Sequence, residues 1–122
     1  MNNASSPAFR FLLGSLYYQT SRYGQAEQNL RMAVKAFPSF RRAYRTLGLI
    51  YVQNNRYPEA ITAWLKVISL GGGDAQSYGL LGYAYLTEGK YQSALSAYQM
   101  ARMFKPDSVD FRRGEAQSLL ET

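Results

Sequence analysis

Apolar and polar residues alternate along the chain with the period of an α-helix. Three segments each contain two stretches of about 14 residues in which apolar positions recur at i, i+3, i+4 and i+7. A short polar break separates the two stretches of each segment. Because this spacing places the apolar positions on one helix face, the pattern predicts three helical hairpins. A further stretch after Pro106 predicts one last helix.

The three segments are copies of one unit with a period of 34 residues. Residues 11–38, 45–72 and 79–106 align without a gap. The repeated positions hold a Leu, a Gly, two Tyr, a basic residue and an Ala: Leu13, Leu47, Leu81, Gly14, Gly48, Gly82, Tyr17, Tyr51, Tyr85, Tyr23, Tyr57, Tyr91, Arg22, Arg56, Lys90, Ala26, Ala60 and Ala94. Glycine inside a helix costs about 1 kcal/mol relative to alanine. Its repetition predicts that the paired helices approach closely there, with the small alanines opposite.

This pattern resembles the tetratricopeptide repeat, whose W-x2-L-G-x2-Y, A-x3-F and closing Pro are matched with Tyr44 and Tyr78 in the Trp position. The resemblance covers residues 7–108. It implies an all-α fold, a right-handed superhelical solenoid of three helical hairpins plus a C-terminal capping helix. We expect one domain over residues 1–122, with repeats at 7–40, 41–74 and 75–108 and the capping helix at 109–122.

Several residues are expected to define the ends of the helices. Ser6, Ser39 and Asp74 are suited to N-caps, and Pro7 to a first helical position. The last helix is expected to cover the open end of the stack, as a terminal repeat must. Its apolar residues are Phe111, Ala116, Leu119 and Leu120.

The stretch LGGGDA at 70–75 allows two interpretations, a phosphate-binding loop or a turn between repeats. A phosphate loop would add a lysine and a hydroxyl at the helix start, and neither known glycine spacing fits Gly71, Gly72 and Gly73. Asp74 would also repel the anion. Because Gly72 aligns with Pro38 and Pro106, which close the other units, we interpret the stretch as a turn capped by Asp74.

Composition excludes most enzyme chemistry. The chain has no cysteine and no histidine, which removes thiolate nucleophiles, Ser-His triads and nearly all zinc sites. The carboxylates are few and dispersed, so we expect no catalytic residue, cofactor, metal or small-molecule substrate. The apolar runs are too short to span a bilayer, and no signal peptide is visible. The compartment stays open between cytoplasm and periplasm.

The net charge of +6 is concentrated in the first part of the chain. Residues 1–70 contain nine Lys or Arg and two Asp or Glu, whereas residues 71–122 contain five and six. A partner that meets the first part is therefore expected to be acidic. Nucleic acid is not the expected partner, because the basic residues lie on several faces and no RNA-binding motif appears.

The family resemblance implies a concave groove lined by the first helix of each hairpin. Positions 2, 5, 9, 12 and 13 of each unit share one helical face, and both tyrosines that the repeat core leaves over, Tyr18 and Tyr83, lie on it. The resulting peptide-binding candidates combine apolar, amide and basic side chains: Phe11, Ser15, Tyr18, Arg42, Arg45, Leu49, Gln53, Gln76, Tyr83 and Arg113. The alternative is that the arginines belong only to a solvated helix face.

The expected function is a protein-interaction adaptor or scaffold that binds a partner peptide or helix, expected to be acidic, in this groove. The carboxylate clamp of chaperone-binding members is absent, since its places hold Phe11, Ser15, Thr46, Gln76 and Leu80. The alternative function is a scaffold that forms homo-oligomers through its ends or exposed faces. The segment SYGLLGYAYL and its glycine-rich junction also resemble repeat proteins of bacterial cell-envelope systems, which implies a bacterial protein.

Overall fold

The computed structural model describes residues 6–122 and contains seven helices of 13 or 14 residues, with no strand in that range. Successive helices pack against each other, which gives three hairpins followed by a single helix. The all-α solenoid expected from the repeat pattern is confirmed. The helices are α1 (Pro7–Gln19), α2 (Tyr23–Ala36), α3 (Arg41–Gln53), α4 (Tyr57–Ser69), α5 (Ala75–Thr87), α6 (Tyr91–Phe104) and α7 (Val109–Glu121).

The turn inside each hairpin has the same backbone conformation in all three units. Its middle residue is left-handed, with φ of 61° at Ser21, 59° at Asn55 and 75° at Gly89. The next backbone N–H reaches back to the carbonyl of Tyr17, Tyr51 or Tyr85 at 2.8–2.9 Å. These bonds satisfy carbonyls that the end of a helix leaves free. The period of 34 therefore repeats the turn geometry although three different residues occupy the left-handed position.

The repeated glycines receive a large side chain from the second helix of each hairpin. A Cβ on Gly14 would lie 2.7 Å from Leu30, one on Gly48 2.6 Å from Trp64, and one on Gly82 3.0 Å from Tyr98. The repeat pattern predicted only the small alanines opposite these glycines. The alanines are fully buried, but the glycines are required because a bulky side chain lies directly on each of them.

Three helices begin with a side-chain cap. The backbone N–H of Phe9 donates to Ser6 Oγ at 3.1 Å, and Asp74 and Ser108 cap α5 and α7 in the same way. The expected cap at Ser39 is wrong. The residue before α3 is Phe40, which provides no side-chain cap. Its ring packs instead on Phe11 at a centroid distance of 4.9 Å, so the apolar contact determines where α3 begins.

The glycine-rich stretch is a turn that closes α4. Gly71 is left-handed, with φ of 88°, and the N–H groups of Gly71 and Gly72 donate to the carbonyls of Ile68 and Val67 at 3.0 and 2.9 Å. The helix that follows has its N-terminus occupied by the carboxylate of Asp74, which accepts from the Ser77 N–H at 2.8 Å. The structure therefore agrees with the turn, and it places a carboxylate at the helix N-terminus where a phosphate loop would hold its anion.

One charged contact joins each unit to the next. Glu27 Oε1 lies 2.6 Å from Arg56 Nη1, and Arg102 Nη1 lies 2.6 Å from Glu115 Oε2. At the middle junction, Arg45 pairs with Asp74, the residue that caps α5, and donates to Gln76 of the third unit at 2.8 Å. Each of these pairs is partly shielded by the protein, so it fixes the position of one unit on another more firmly than an exposed pair would.

Of the four apolar residues expected to cover the end of the stack, only Phe111 packs on the body of the protein. Phe111, Gly114 and Ser118 contact the body of the protein, and the latter two are buried. Ala116 is exposed, and so are Leu119 and Leu120, at 54% and 85%. The expectation that the leucines cover the end of the stack is therefore wrong, because the face that carries them points away from α6. None of the seven helices, over residues 6–122, is long and apolar enough to cross a bilayer.

The glycine contacts predict opposite effects for two Gly→Ala substitutions. Gly48→Ala should lower the free energy of unfolding by about 1–3 kcal/mol, because the new methyl group would overlap the buried Trp64 ring. Gly24→Ala should raise it by about 0.5 kcal/mol, because no atom lies within 4 Å of the added Cβ and the unfolded chain loses freedom. Urea unfolding monitored by circular dichroism measures both values. Equal effects of the two substitutions would contradict the close-approach argument.

Candidate functional site

The first helices of the hairpins form the inner layer of the solenoid. Cα atoms within 8 Å of each other link α1 to α3, α3 to α5 and α5 to α7, whereas none link α2 to α4 or α4 to α6. Because the odd-numbered helices are more closely spaced, the stack curves toward them and their free face is concave. We call the ten predicted residues on these helices the groove face: Phe11, Ser15, Tyr18, Arg42, Arg45, Leu49, Gln53, Gln76, Tyr83 and Arg113.

Phe11 and Arg42 form one end of the groove face. The guanidinium carbon of Arg42 lies 5.2 Å from the centroid of the Phe11 ring, a cation–π contact. Arg42 is exposed and forms no ion pair with any residue between Ser6 and Thr122. Its charge is thus held in place by an aromatic ring and is not neutralised by a neighbouring carboxylate.

Arg45 has its guanidinium group engaged inside the protein. Nη2 lies 3.2 Å from Asp74 Oδ2 and donates to the Gly72 carbonyl at 3.1 Å, while Nη1 donates to Gln76 Oε1 at 2.8 Å. Only 25% of the side chain is exposed. The sequence predicted that Arg45 would bind an anion of the partner, but Asp74 already provides the anion. Arg45 joins α3 to the start of α5, and any ligand would have to compete with Asp74.

Three predicted residues line one cavity between α5 and α7. Gln76, Tyr83 and Arg113 surround a volume of about 440 Å³. Tyr83 is 44% exposed, and its ring meets the ring of Tyr57 edge-on at 5.8 Å. Arg113 lies on the rim, with Nη1 3.9 Å from Asp110 Oδ1 and most of its side chain in solvent. This cavity combines an apolar interior with amides, the cation of Arg113 and the carboxylate of Asp110 at its mouth.

Two glycines and two aromatic rings form the floor of this cavity. A Cβ on Gly79 would lie 2.5 Å from the Phe111 ring, and one on Gly114 would overlap the ring of Tyr98. Burial raises the pKa of Tyr98 to about 12, with smaller contributions from Tyr83 and Asp110. The contribution of Phe111 and Gly114 to this cavity was not predicted from the sequence. The available signal was that Gly114 lies outside the register of the other packing glycines and so needed a separate contact.

The other four predicted residues lie on the remaining turns of α1 and α3. The Tyr18 ring is 5.8 Å from that of Tyr23, and burial raises the pKa of Tyr18. Leu49 packs on the hydrophobic core, Ser15 is half-buried, and Gln53 is exposed. These four side chains carry no charge. The structure therefore brings together Phe11 with Arg42, Arg45 with Gln76, and Gln76 and Tyr83 with Arg113 around one cavity.

One family model and several solved structures are similar to this chain. A family model described as tetratricopeptide repeat matches residues 11–75 and 80–122. A comparison with curated proteins finds no match. Among solved structures, the Arabidopsis OM64 TPR domain superposes with a TM-score of 0.81 at 14% identity, covering 99% of this chain and 100% of that one.

Two other solved structures are similar over nearly the whole chain. MamA AMB-1 has a TM-score of 0.92 at 22% identity, covering 99% of this chain and 66% of that one. The first TPR of Spaghetti (RPAP3), bound to the HSP90 peptide SRMEEVD, has a TM-score of 0.81 at 14% identity, covering 96% of this chain and 93% of that one. At these identities the likeness concerns the fold.

The pKa of Asp74 links the groove face to the stability of the protein. Burial alone would raise this pKa, but the hydrogen bonds from Ser77 and the charge of Arg45 together lower it below its ordinary value of 3.8. A lowered folded-state pKa contributes stability above the unfolded pKa, and that contribution is lost as the pH falls through the folded value. The Arg45–Asp74 contact should therefore weaken in acid.

Asp74→Asn separates the charge from the helix cap, because asparagine caps helices as well as aspartate does. At about pH 6 the variant should be less stable than the wild type by about 0.5–1 kcal/mol, and the difference should shrink at about pH 2.5. In an Arg45→Gln background the same substitution should lower the free energy of unfolding by less, since the partner charge is gone. Urea unfolding at the two pH values measures this cycle, and a difference independent of pH would contradict it.

Proposed function

Because the chain belongs to the tetratricopeptide repeat family, whose members mediate protein–protein interactions, we propose that it is a non-catalytic adaptor that binds a segment of a partner protein on the groove face. The segment is a peptide or a helix that carries acidic residues. We treat residues 1–122 as one domain, with repeats at 7–40, 41–74 and 75–108 followed by a terminal helix.

The cavity lined by Gln76, Tyr83 and Arg113 is the observation that carries this proposal. Its volume of about 440 Å³ accommodates a large apolar side chain. A segment anchored there would place its neighbouring carboxylates beside Arg113 on the rim. Aromatic and arginine side chains of this kind dominate the energy of protein interfaces.

Arg42 extends the proposed site toward α1. Its guanidinium is the one groove-face cation on α1, α3 and α5 that has no carboxylate partner in the described range, because Arg45 is paired with Asp74. An extended segment that runs from the cavity toward Phe11 would meet apolar Leu49 on the way and a cation at its end. The acidic character of the partner is inferred from the two accessible arginines, Arg42 and Arg113, and from the excess of basic residues before residue 71.

The proposed partner differs from a chaperone tail. The RPAP3 domain is bound to the acidic HSP90 peptide SRMEEVD, which supports an acidic ligand for this fold in general. In the present chain, the places of the carboxylate clamp hold Phe11, Ser15, Thr46, Gln76 and Leu80, none of which carries a positive charge. Recognition would instead depend on the apolar cavity, with charge confined to its rim.

Peptide selection tests this proposal even though the partner is unidentified. Random peptides displayed on phage and selected on the wild-type protein should become enriched in acidic residues next to a large apolar residue. Arg113→Glu should lower the affinity for the best peptide by at least tenfold, as measured by isothermal titration calorimetry. Arg112→Glu, which makes the same charge change on the neighbouring exposed residue outside the cavity, should change affinity by less than about twofold.

Two results would reject the groove face as the site. One is selected peptides that bind the Arg113→Glu and Arg112→Glu variants equally well. The other is enrichment of peptides without acidic residues. Matching circular dichroism spectra of the three proteins must first establish that each variant is folded.

Apolar side chains at both ends of the solenoid favour a second candidate function, head-to-tail self-assembly. Leu12 and Leu16 on α1 are 58% and 51% exposed, and Leu119 and Leu120 on α7 are 54% and 85% exposed. Exposed apolar patches often mark interaction surfaces. An interface between two different ends leaves one free end on each molecule of a pair, so it would build chains or rings of more than two molecules.

Sedimentation velocity with two end variants tests self-assembly. If the ends associate, the wild type should form oligomers that grow with concentration, and Leu12→Glu or Leu119→Glu alone should each be monomeric. A mixture of the two variants should form dimers and nothing larger, because each retains one intact end. A wild type that stays monomeric at every concentration would remove this candidate.

A further inference from the structure

A large cavity lies on the outer face of the solenoid, away from the groove face. It measures about 890 Å³, against about 440 Å³ for the cavity beside Tyr83. Helices α2 and α4 form its walls and α3 forms its floor, and we call it the outer furrow. The walls leave a real gap, since no Cα of α2 lies within 8 Å of a Cα of α4.

The outer furrow and the groove face use opposite sides of α3. The floor of the furrow consists of Tyr44, Leu47 and Tyr51, whereas Arg45 and Leu49 belong to the groove face. Residues spaced by three and four positions share one side of a helix, which places the two sets on different sides. A ligand in the outer furrow would therefore leave the groove face accessible, so this surface is independent of the function proposed above.

The floor and walls of the outer furrow are mostly apolar. Val34 contributes from α2, and Pro58, Ala63 and Leu65 contribute from α4. Leu65 is 44% exposed although it is a large hydrophobic residue. An apolar strip of this kind between two helices has the form of a groove that receives the apolar face of a third helix.

Cations flank this apolar strip. Lys66 lines the furrow, with Nζ 5.8 Å from the Tyr44 ring centroid, and Arg31 lies on the opposite wall. Lys35 lines an adjoining cavity that shares Arg31, Val34 and Tyr44. Neither lysine forms an ion pair with any residue from Ser6 to Thr122.

The acidic residues near the furrow are already neutralised. Glu59 Oε2 lies 3.0 Å from Arg56 Nη2, and Glu27 Oε1 lies 2.6 Å from Arg56 Nη1. Glu27 also accepts a hydrogen bond from the Tyr51 hydroxyl at 3.2 Å and lies 3.4 Å from Arg31. The two lysines therefore give the rim a positive charge that the neighbouring carboxylates do not cancel.

The equivalent place one repeat later does not share these features. The cavity beside Tyr78, Leu81 and Tyr85 measures about 270 Å³ and is lined by residues of α5 and α6 alone. Ser93, Ser96 and Met100 stand there where the first furrow has Glu59, Thr62 and Lys66. The solenoid geometry alone therefore does not produce the large cationic furrow, which depends on the residues of the first two units.

We propose that the outer furrow binds an amphipathic helix of a partner protein that carries acidic residues beside its apolar stripe. The apolar stripe lies on Val34, Tyr44 and Leu65, and the carboxylates face Lys35 and Lys66. The bound helix runs along α4, which lines the furrow from Pro58 to Ser69. With the groove face on the other side of α3, the chain then holds two partner segments at once.

A synthetic helical peptide of about 14 residues, with Leu at i, i+3, i+4 and i+7 and Glu at most other positions, probes the furrow directly. Labelled with fluorescein and titrated with wild-type protein, it should show saturable binding by fluorescence anisotropy. The same peptide with every Glu replaced by Lys should bind at least tenfold more weakly. Amide NMR shifts should move on α2, α3 and α4. Lys66→Glu should abolish these shifts, whereas any shift at Tyr83 and Arg113, which would report binding to the groove face, should be the same in the wild type and the variant.

Matched charge reversals separate the furrow from the overall charge. Lys66→Glu should lower the affinity for the acidic peptide at least tenfold. Lys105→Glu, the same charge change at an exposed site after α6, should change that affinity by less than about twofold. No saturable binding up to about 1 mM, or equal losses in the two variants, would overturn the proposal. So would a wild-type dimer that Lys66→Glu dissociates, because the furrow would then hold a second copy of this chain.

Discussion

The close approach of two helices within each hairpin is the constraint on which the rest of the structure depends. At Gly14, Gly48 and Gly82 the backbone of the first helix lies directly against a large side chain of the second. That contact brings the two helix axes together and leaves Trp64 without exposed surface. Because the same contact recurs every 34 residues, each hairpin has the same shape, and identical shapes stack into a solenoid.

Much of this architecture could be predicted from sequence because it depends on local patterns that repeat. Helix positions, the turns inside the hairpins and the meaning of the glycine-rich stretch follow from spacing, and α1, α3, α5 and α7 begin at residues 7, 41, 75 and 109. The errors concern contacts between residues far apart in sequence. Ser39 has the chemistry of a cap, but the packing of Phe40 on Phe11 decides where α3 begins. Leu119 and Leu120 continue an apolar pattern, yet the buried face of α7 contains Gly114 and Ser118.

The candidate site was less predictable than the fold for the same reason. A helical face identifies which residues point to one side, but it does not reveal which charged side chains are already paired within the protein. Arg42 and Arg45 occupy the same face of α3, yet Arg42 stacks on an aromatic ring while Arg45 is bound by Asp74, 29 residues further along the chain. The difference arises because the Asp74 carboxylate caps α5 and lies beside Arg45. Similarly, the outer furrow exists because α2 and α4 are separated, which a period in the sequence cannot reveal.

The curvature of the stack explains why both sides of α3 can carry a surface. Close spacing of α1, α3 and α5 narrows the inner side, so its side chains contact residues of the next unit, as Arg45 does with Gln76. The same curvature separates α2 from α4 on the outer side and opens the furrow between them. Burial of α3 between two layers would ordinarily leave it no accessible face. In a curved solenoid, closer contact on the inner side opens space on the outer side. The sequence of the first two units places cations that have no carboxylate partner on both sides.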